Sequence, residues 1–187
     1  DQTYPITVEI DSPESNGNQK SSFTHEDLIR MTDLNIFVYH EGRLLEDYSG
    51  YFEDMSSVML AFPYDRDCFN VYMVGNTGRL EAPLDEAEIA NLKYEIEDYS
   101  DFRIRGVPVA EIFRSHRKGT QAHFKLKRLV GQYNVMMKNS ALDAAYKVKD
   151  VRLLNCALDM YPFSADTRAD KFAGKNLSDG RESGDVL

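Results

Sequence analysis

The chain has 187 residues, 42% of them apolar and 11% aromatic, with no Trp and a net charge of −9. That is enough apolar material for the core of one domain of moderate size, or one domain and a tail, and it excludes a disordered chain. The longest purely apolar run, Val58–Phe62, is too short for a transmembrane helix, and no secretory signal is present.

Residues 4–10 (YPITVEI) alternate and predict a first strand. Residues 11–22 (DSPESNGNQKSS) predict a long loop, and Thr24–Asp27 resembles a capping box ahead of a short helix ending near Met31. Residues 33–40 (DLNIFVYH) predict a strand with Leu34, Ile36 and Val38 inward. Phe37 and Tyr39 take the opposite parity, so the strand is either covered on both sides or lines an apolar groove. Glu41-Gly42 is a tight turn into a partner strand over 43–49. Two more strands fall at 57–62 and 68–75, followed by a turn at Asn76-Thr77-Gly78. Asp85, with Glu88 three residues on, opens the best helix, which carries Ile89, Leu92 and Ile96 at i, i+3 and i+7 and turns extended after Lys93.

Residues 100–120 read as irregular, broken by Gly106, Pro108 and Gly119. Residues 121–139 (QAHFKLKRLVGQYNVMMKN) predict one long strand. Phe124 and Leu126 share one parity and Leu129, Tyr133, Val135 and Met137 the other, so a bulge is expected near Lys127-Arg128. Residues 146–158 predict a last strand with a similar change of phase, and the chain turns polar and small after Pro162. At least seven strands, one good helix and no βαβ alternation predict a mainly β, antiparallel β-sandwich with one or two short helices. Its expected extent is 1–163, with 164–187 a polar linker or the start of a second domain.

Charge is uneven. Residues 114–152 hold ten Lys or Arg and two acids, a balance of +8, and the remainder balances to −17. The lysines read most simply as solvent faces of strands; the alternatives are head-to-tail association or binding of a polyanion. Cys68 and Cys156 read as two separate buried thiols rather than a disulfide.

Groupings for chemistry are lacking. His25, His40, His116 and His123 are scattered, without a second ligand at metal spacing. No phosphate loop, dinucleotide fingerprint or nucleophile elbow is present. Acidic pairs such as Asp65/Asp67 and Glu95/Glu97 are expected by chance among 31 acids. Beside the basic cluster Arg114–Gly119, Phe113 and Phe124 are the candidate stacking aromatics, but the strand pattern makes Phe124 core and the chain is acidic overall, and Asn176-Leu177-Ser178 is a short glycosylation match. The expectation is no catalytic residue, no cofactor, no metal and no nucleic-acid partner.

Four stretches in order resemble the N-terminal domain of Bacteroidetes fimbrillin-type pilins and fimbrial anchor or tip lipoproteins. They are Thr32–Tyr39, Phe69–Gly78, Lys127–Val135, and Val151–Asn155 followed by Pro162-Phe163. The resemblance implies a transthyretin-like β-sandwich and a non-enzymatic role as stalk, tip or anchor of a cell-surface fimbria, supporting adhesion. It implies export to the outer membrane as a lipoprotein, with a lipid anchor that this chain, starting at Asp1, does not carry. The implied partners are other fimbrial subunits, through β-strand addition, and host or bacterial surface receptors. In polymerising members an Arg-specific protease cuts the loop after the first strand. Here that loop is 11–32, with Lys20 and Arg30, and Arg30, just before the second strand, is the candidate site. Members also carry a second sandwich domain. The alternative is a surface lipoprotein module that binds glycan or another ligand.

Overall fold

The computed structural model describes residues 3–5, 7–10, 29–53, 59–61, 68–117, 123–131, 151–166 and 168–176. Its strands in chain order are β1 (Thr3–Pro5), β2 (Thr7–Ile10), β3 (Leu34–His40), β4 (Arg43–Leu44), β5 (Gly50–Phe52), β6 (Met59–Ala61), β7 (Cys68–Gly75), β8 (Tyr94–Glu95), β9 (Val109–Arg117), β10 (His123–Arg128), β11 (Arg152–Ala157), β12 (Asp159–Met160) and β13 (Phe172–Asn176). Among the described residues, the helical elements with both ends in view are short turns, including a 3₁₀ segment at Glu86–Asn91 and an α turn, α1 (Phe102–Arg105). The fold is mainly β and antiparallel, as the pattern predicts.

The main sheet runs β2-β10-β9-β7-β3-β4, with β5 also on β3. Alternate residues of its central strands enter two different cores. Leu34, Ile36 and Val38 of β3 pack with Val71 and Met73 of β7, Val109 of β9, Phe124 and Leu126 of β10 and Ile10 of β2. Phe37, Tyr39, Tyr72, Val74 and Ala110 pack on the other face with Ile89 and Phe163. The strand over Leu34–Tyr39 is therefore covered on both sides, which explains its near-continuous apolar reading. On the second face Tyr72 stacks edge-on with both Tyr39 (5.4 Å) and Phe163 (5.2 Å). The Tyr39 hydroxyl donates to the Pro83 carbonyl and that of Tyr72 to Glu86 Oε1, each at 2.7 Å, so neither buried ring leaves a bare polar tip.

The Glu41-Gly42 turn closes β3 onto β4 with φ of 49° and 79°, the left-handed pair a two-residue hairpin demands. The expected partner strand over 43–49 is broken: β4 ends at Leu44, Glu46–Tyr48 coils, and β5 returns to pair with the start of β3. Asp85 caps its helix through Ala87 N–H (3.0 Å), but the helix is 3₁₀ and stops at Asn91. Ile89 lies in the second core and Ile96 in the first, so they never shared one helix face. Of the helix expected after Thr24, the described part begins at Ile29, which is helical.

Residues 109–117, read as irregular, form the nine-residue strand β9, paired with β7 and β10. The long strand over 121–139 ends at Arg128. Leu129 N–H then bonds the Pro108 carbonyl (2.9 Å), Leu129 packs against the second core and Val130 against the first. The predicted change of face is thus made where the strand stops, and the remainder of that stretch past Gly131 lies outside the described residues. The last strand begins at Arg152 and carries a register shift between Leu153 and Cys156, with Asn155 at φ 55°. In the polar stretch after Pro162, Phe172–Asn176 pairs with β11. Cys68 and Cys156 are free thiols, as expected, but Cys68 is exposed at the start of β7 and Cys156 on β11 is half-buried rather than buried.

Candidate functional site

The first strand is split. β1 pairs antiparallel with β6, and β2 pairs parallel with β10 in the register Thr7↔His123, Val8↔Phe124, Glu9↔Lys125 and Ile10↔Leu126. This parallel pair is a departure from the antiparallel rule of the rest of the sheet. Val8 and Ile10 face the first core, where Ile10 is 8% exposed and its neighbours Phe124 and Leu126 are fully buried. Phe113 of β9 closes the floor of this seat, edge-on to Phe124 at 4.6 Å.

Position in the sheet matters more than area. β2 ends the strand order, with β10 as its neighbour, so its loss breaks one ladder and leaves β10-β9-β7-β3 intact. It would also strip the cover from Phe124 and Leu126. The chain re-enters the sheet at β3, four strand positions or about 19 Å away at ordinary strand spacing. Among the described residues the first strand is an edge piece that forms no hairpin with β3.

Arg30 lies shortly before β3, and the structure places it at a buried polar knot. Asn76, at φ 62° and fully buried, ends β7. Its side-chain Nδ2 donates to the carbonyls of Arg30 and Val107, both at 2.8 Å, and its Oδ1 accepts from Thr32 N–H at 2.9 Å. The Arg30 guanidinium Nη1 donates to the Arg103 carbonyl (2.6 Å), and the Thr32 hydroxyl to the Arg105 carbonyl (2.7 Å). Gly106, at φ 90°, allows the approach: a Cβ there would lie 2.4 Å from the Arg30 carbonyl oxygen and 2.5 Å from Asn76 Nδ2.

Asp33 completes the knot. Its Oδ1 accepts from the N–H groups of Thr77 (3.2 Å) and Gly78 (3.1 Å), holding the turn after Asn76. Burial raises its carboxyl pKa, and these two N–H donors and Thr32 offset that only in part. Asn35 spans the same turn, donating to Gly78 O (2.8 Å) and accepting from Leu80 N–H (2.9 Å). In the sequence this cluster showed only as an Asn-Thr-Gly turn. Its partners lie 31 to 46 residues away, so no local pattern announces them.

The other residues singled out by type are not brought together. His40 Nδ1 bonds the Cys68 carbonyl at 2.8 Å, His123 is exposed on β10, His116 sits in β9, and His25 lies outside the described residues. Glu95 holds ion pairs with Lys171 (2.7 Å) and Lys93 (2.9 Å) at the surface, and these partners pull its carboxyl down to about 2. Asp65 and Asp67 lie outside the described residues. In the basic cluster, Arg114 reaches the Tyr72 hydroxyl at 3.4 Å, whereas Lys118 and Gly119 are not described. Among the described residues no group of three or more His, Cys, Asp or Glu could hold a metal, and no helix is long and apolar enough to cross a membrane.

No protein-family model matches the chain, and no curated protein matches it in sequence. Among solved structures it is similar to a fimbrilin, FimA, of Porphyromonas gingivalis W83, with a TM-score of 0.55 and 13% identity over 88% of this chain and 53% of that one. This chain thus spans about half the length of that fimbrilin. At such identity the likeness is one of fold, and the fold of this chain is fimbrilin-like.

Proposed function

We propose that this chain is a non-enzymatic structural subunit of a cell-surface fimbria, as stalk, tip or anchor, and that it joins its neighbours by β-strand addition. The observation that carries the reading is the seat of β2: a short edge strand, parallel to β10, whose Val8 and Ile10 cover the buried Phe124 and Leu126. A strand that pairs with one neighbour among the described residues can be replaced by a strand from another subunit without rebuilding the sheet. The fimbrilin-like fold supports the same reading. Under it the protein sits at the cell surface and supports adhesion to host or bacterial surfaces. Residues 1–163 would supply the sandwich cores, in keeping with Phe163 in the second core, with Phe172–Asn176 of the stretch 164–187 laid back on β11.

Arg30 is the proposed processing site in a polymerising subunit, because a cut after it frees β1 and β2 together. The test is a chain that begins at Met31, followed by gel filtration and electron microscopy alone and with full-length protein. The reading predicts end-to-end oligomers. A folded Met31-start chain that stays monomeric in both conditions contradicts it.

A further inference from the structure

We infer that the Asn76 side chain is a latch that shields the Arg30–Met31 bond, so that release of the first strand is gated at this knot; the inference rests on Arg30 as the processing site. A protease must draw the residue before the scissile bond into its cleft in an extended form and aim that residue's carbonyl at its own oxyanion donors. Here the Arg30 carbonyl already accepts from Asn76 Nδ2, and its guanidinium already donates to the Arg103 carbonyl. Two residues on, Thr32 N–H is held by Asn76 Oδ1 and its hydroxyl by the Arg105 carbonyl, and one residue further Asp33 is buried against the turn. One amide therefore grips the chain on both sides of the bond, and Gly106 packs against the carbonyl from the third side.

Cleavage must wait for local opening, so its rate follows the population of the unlatched state while opening is fast. The latch makes processing depend on whatever loosens this end of the sheet rather than on the mere presence of an arginine.

Trypsin digestion of the full chain, followed by mass spectrometry of each new end, tests this against the other Lys and Arg sites as internal references. Asn76→Ala removes both grips and the bond to Val107, and Asn76→Asp keeps the acceptor but loses the donor to Arg30 and Val107. Losing two or three hydrogen bonds predicts a cut at Arg30 at least roughly tenfold faster relative to the other sites. A wild-type chain cut at Arg30 as fast as either variant overturns the latch. Where a variant is cut faster at every site alike, global unfolding is the cause, and the wild-type Thr32 amide decides. Slow hydrogen exchange there supports the latch, and exchange at the unstructured rate refutes it. Strand uptake by the Met31-start chain is read separately, so failure of the groove reading shows there and not in these rates.

Discussion

Replacing Ile10 by Ala removes most of a side chain that is 8% exposed and packed on Leu126 in the first core. Fully buried Ile→Ala changes cost about 2–5 kcal/mol, the spread reflecting how far a site can collapse. β2 is an edge strand of four residues and can shift toward β10, so the lower part of that range applies, about 2–2.5 kcal/mol. For a chain of this size that corresponds to a fall in melting temperature of about 5–8 °C. It also lowers the urea midpoint by about 1 M if the slope is about 2 kcal/mol/M. The assay is urea unfolding by circular dichroism, with Leu126→Ala as reference. Leu126 is fully buried on a strand paired on both sides, so its loss should cost more, about 3–4 kcal/mol. If Ile10→Ala lies within 0.5 kcal/mol of wild type, β2 is not seated on β10 and the functional reading loses its footing.

Gly106→Ala should cost about 3 kcal/mol or more, since its φ of 90° and the 2.4 Å approach to the Arg30 carbonyl leave no place for a methyl group; a melting temperature unchanged from wild type refutes the packing described for the knot. Tyr72→Phe deletes the bond to Glu86 and should cost about 1–1.5 kcal/mol by urea unfolding, and a more stable variant would show that the hydroxyl contributes nothing. Asp33 supplies a pH test. Its folded pKa lies above the ordinary value of 3.8 because burial outweighs its N–H donors, so its contribution is full below that value and is lost as pH rises through the folded one. The stability difference between Asp33→Asn and wild type should therefore move in the variant's favour as pH rises through the carboxylate range, and a difference that is flat or moves the other way contradicts the assignment.

Strand existence was most legible where pattern and turn chemistry agreed. β3 and β7 follow from their apolar runs, and the Glu41-Gly42 turn from its residue types. β9 escaped because both of its faces are covered: Val109 and Phe113 serve one core, Ala110 and Ile112 the other, so no clean alternation remains, and Gly106 and Pro108 stand just before it. The segment after Asp85 turns extended after Lys93 as expected, at β8, but Ile96 was grouped with Ile89 because the two keep helical spacing while serving opposite faces of the sheet. The site was less legible still. The β2–β10 pair joins residues more than a hundred positions apart, and the Asn76 knot joins three chain segments. Only the short alternation of residues 4–10 and the Asn-Thr-Gly turn hinted at either.

The most direct test of the account is a labelled peptide of residues 1–12 titrated into the chain that begins at Met31. A seat formed by Phe124 and Leu126 predicts saturable binding of one peptide per chain, weakened when Ile10 of the peptide is replaced by Ser. Absence of binding to a Met31-start chain that circular dichroism shows to be folded would contradict the claim that the first strand occupies an exchangeable groove.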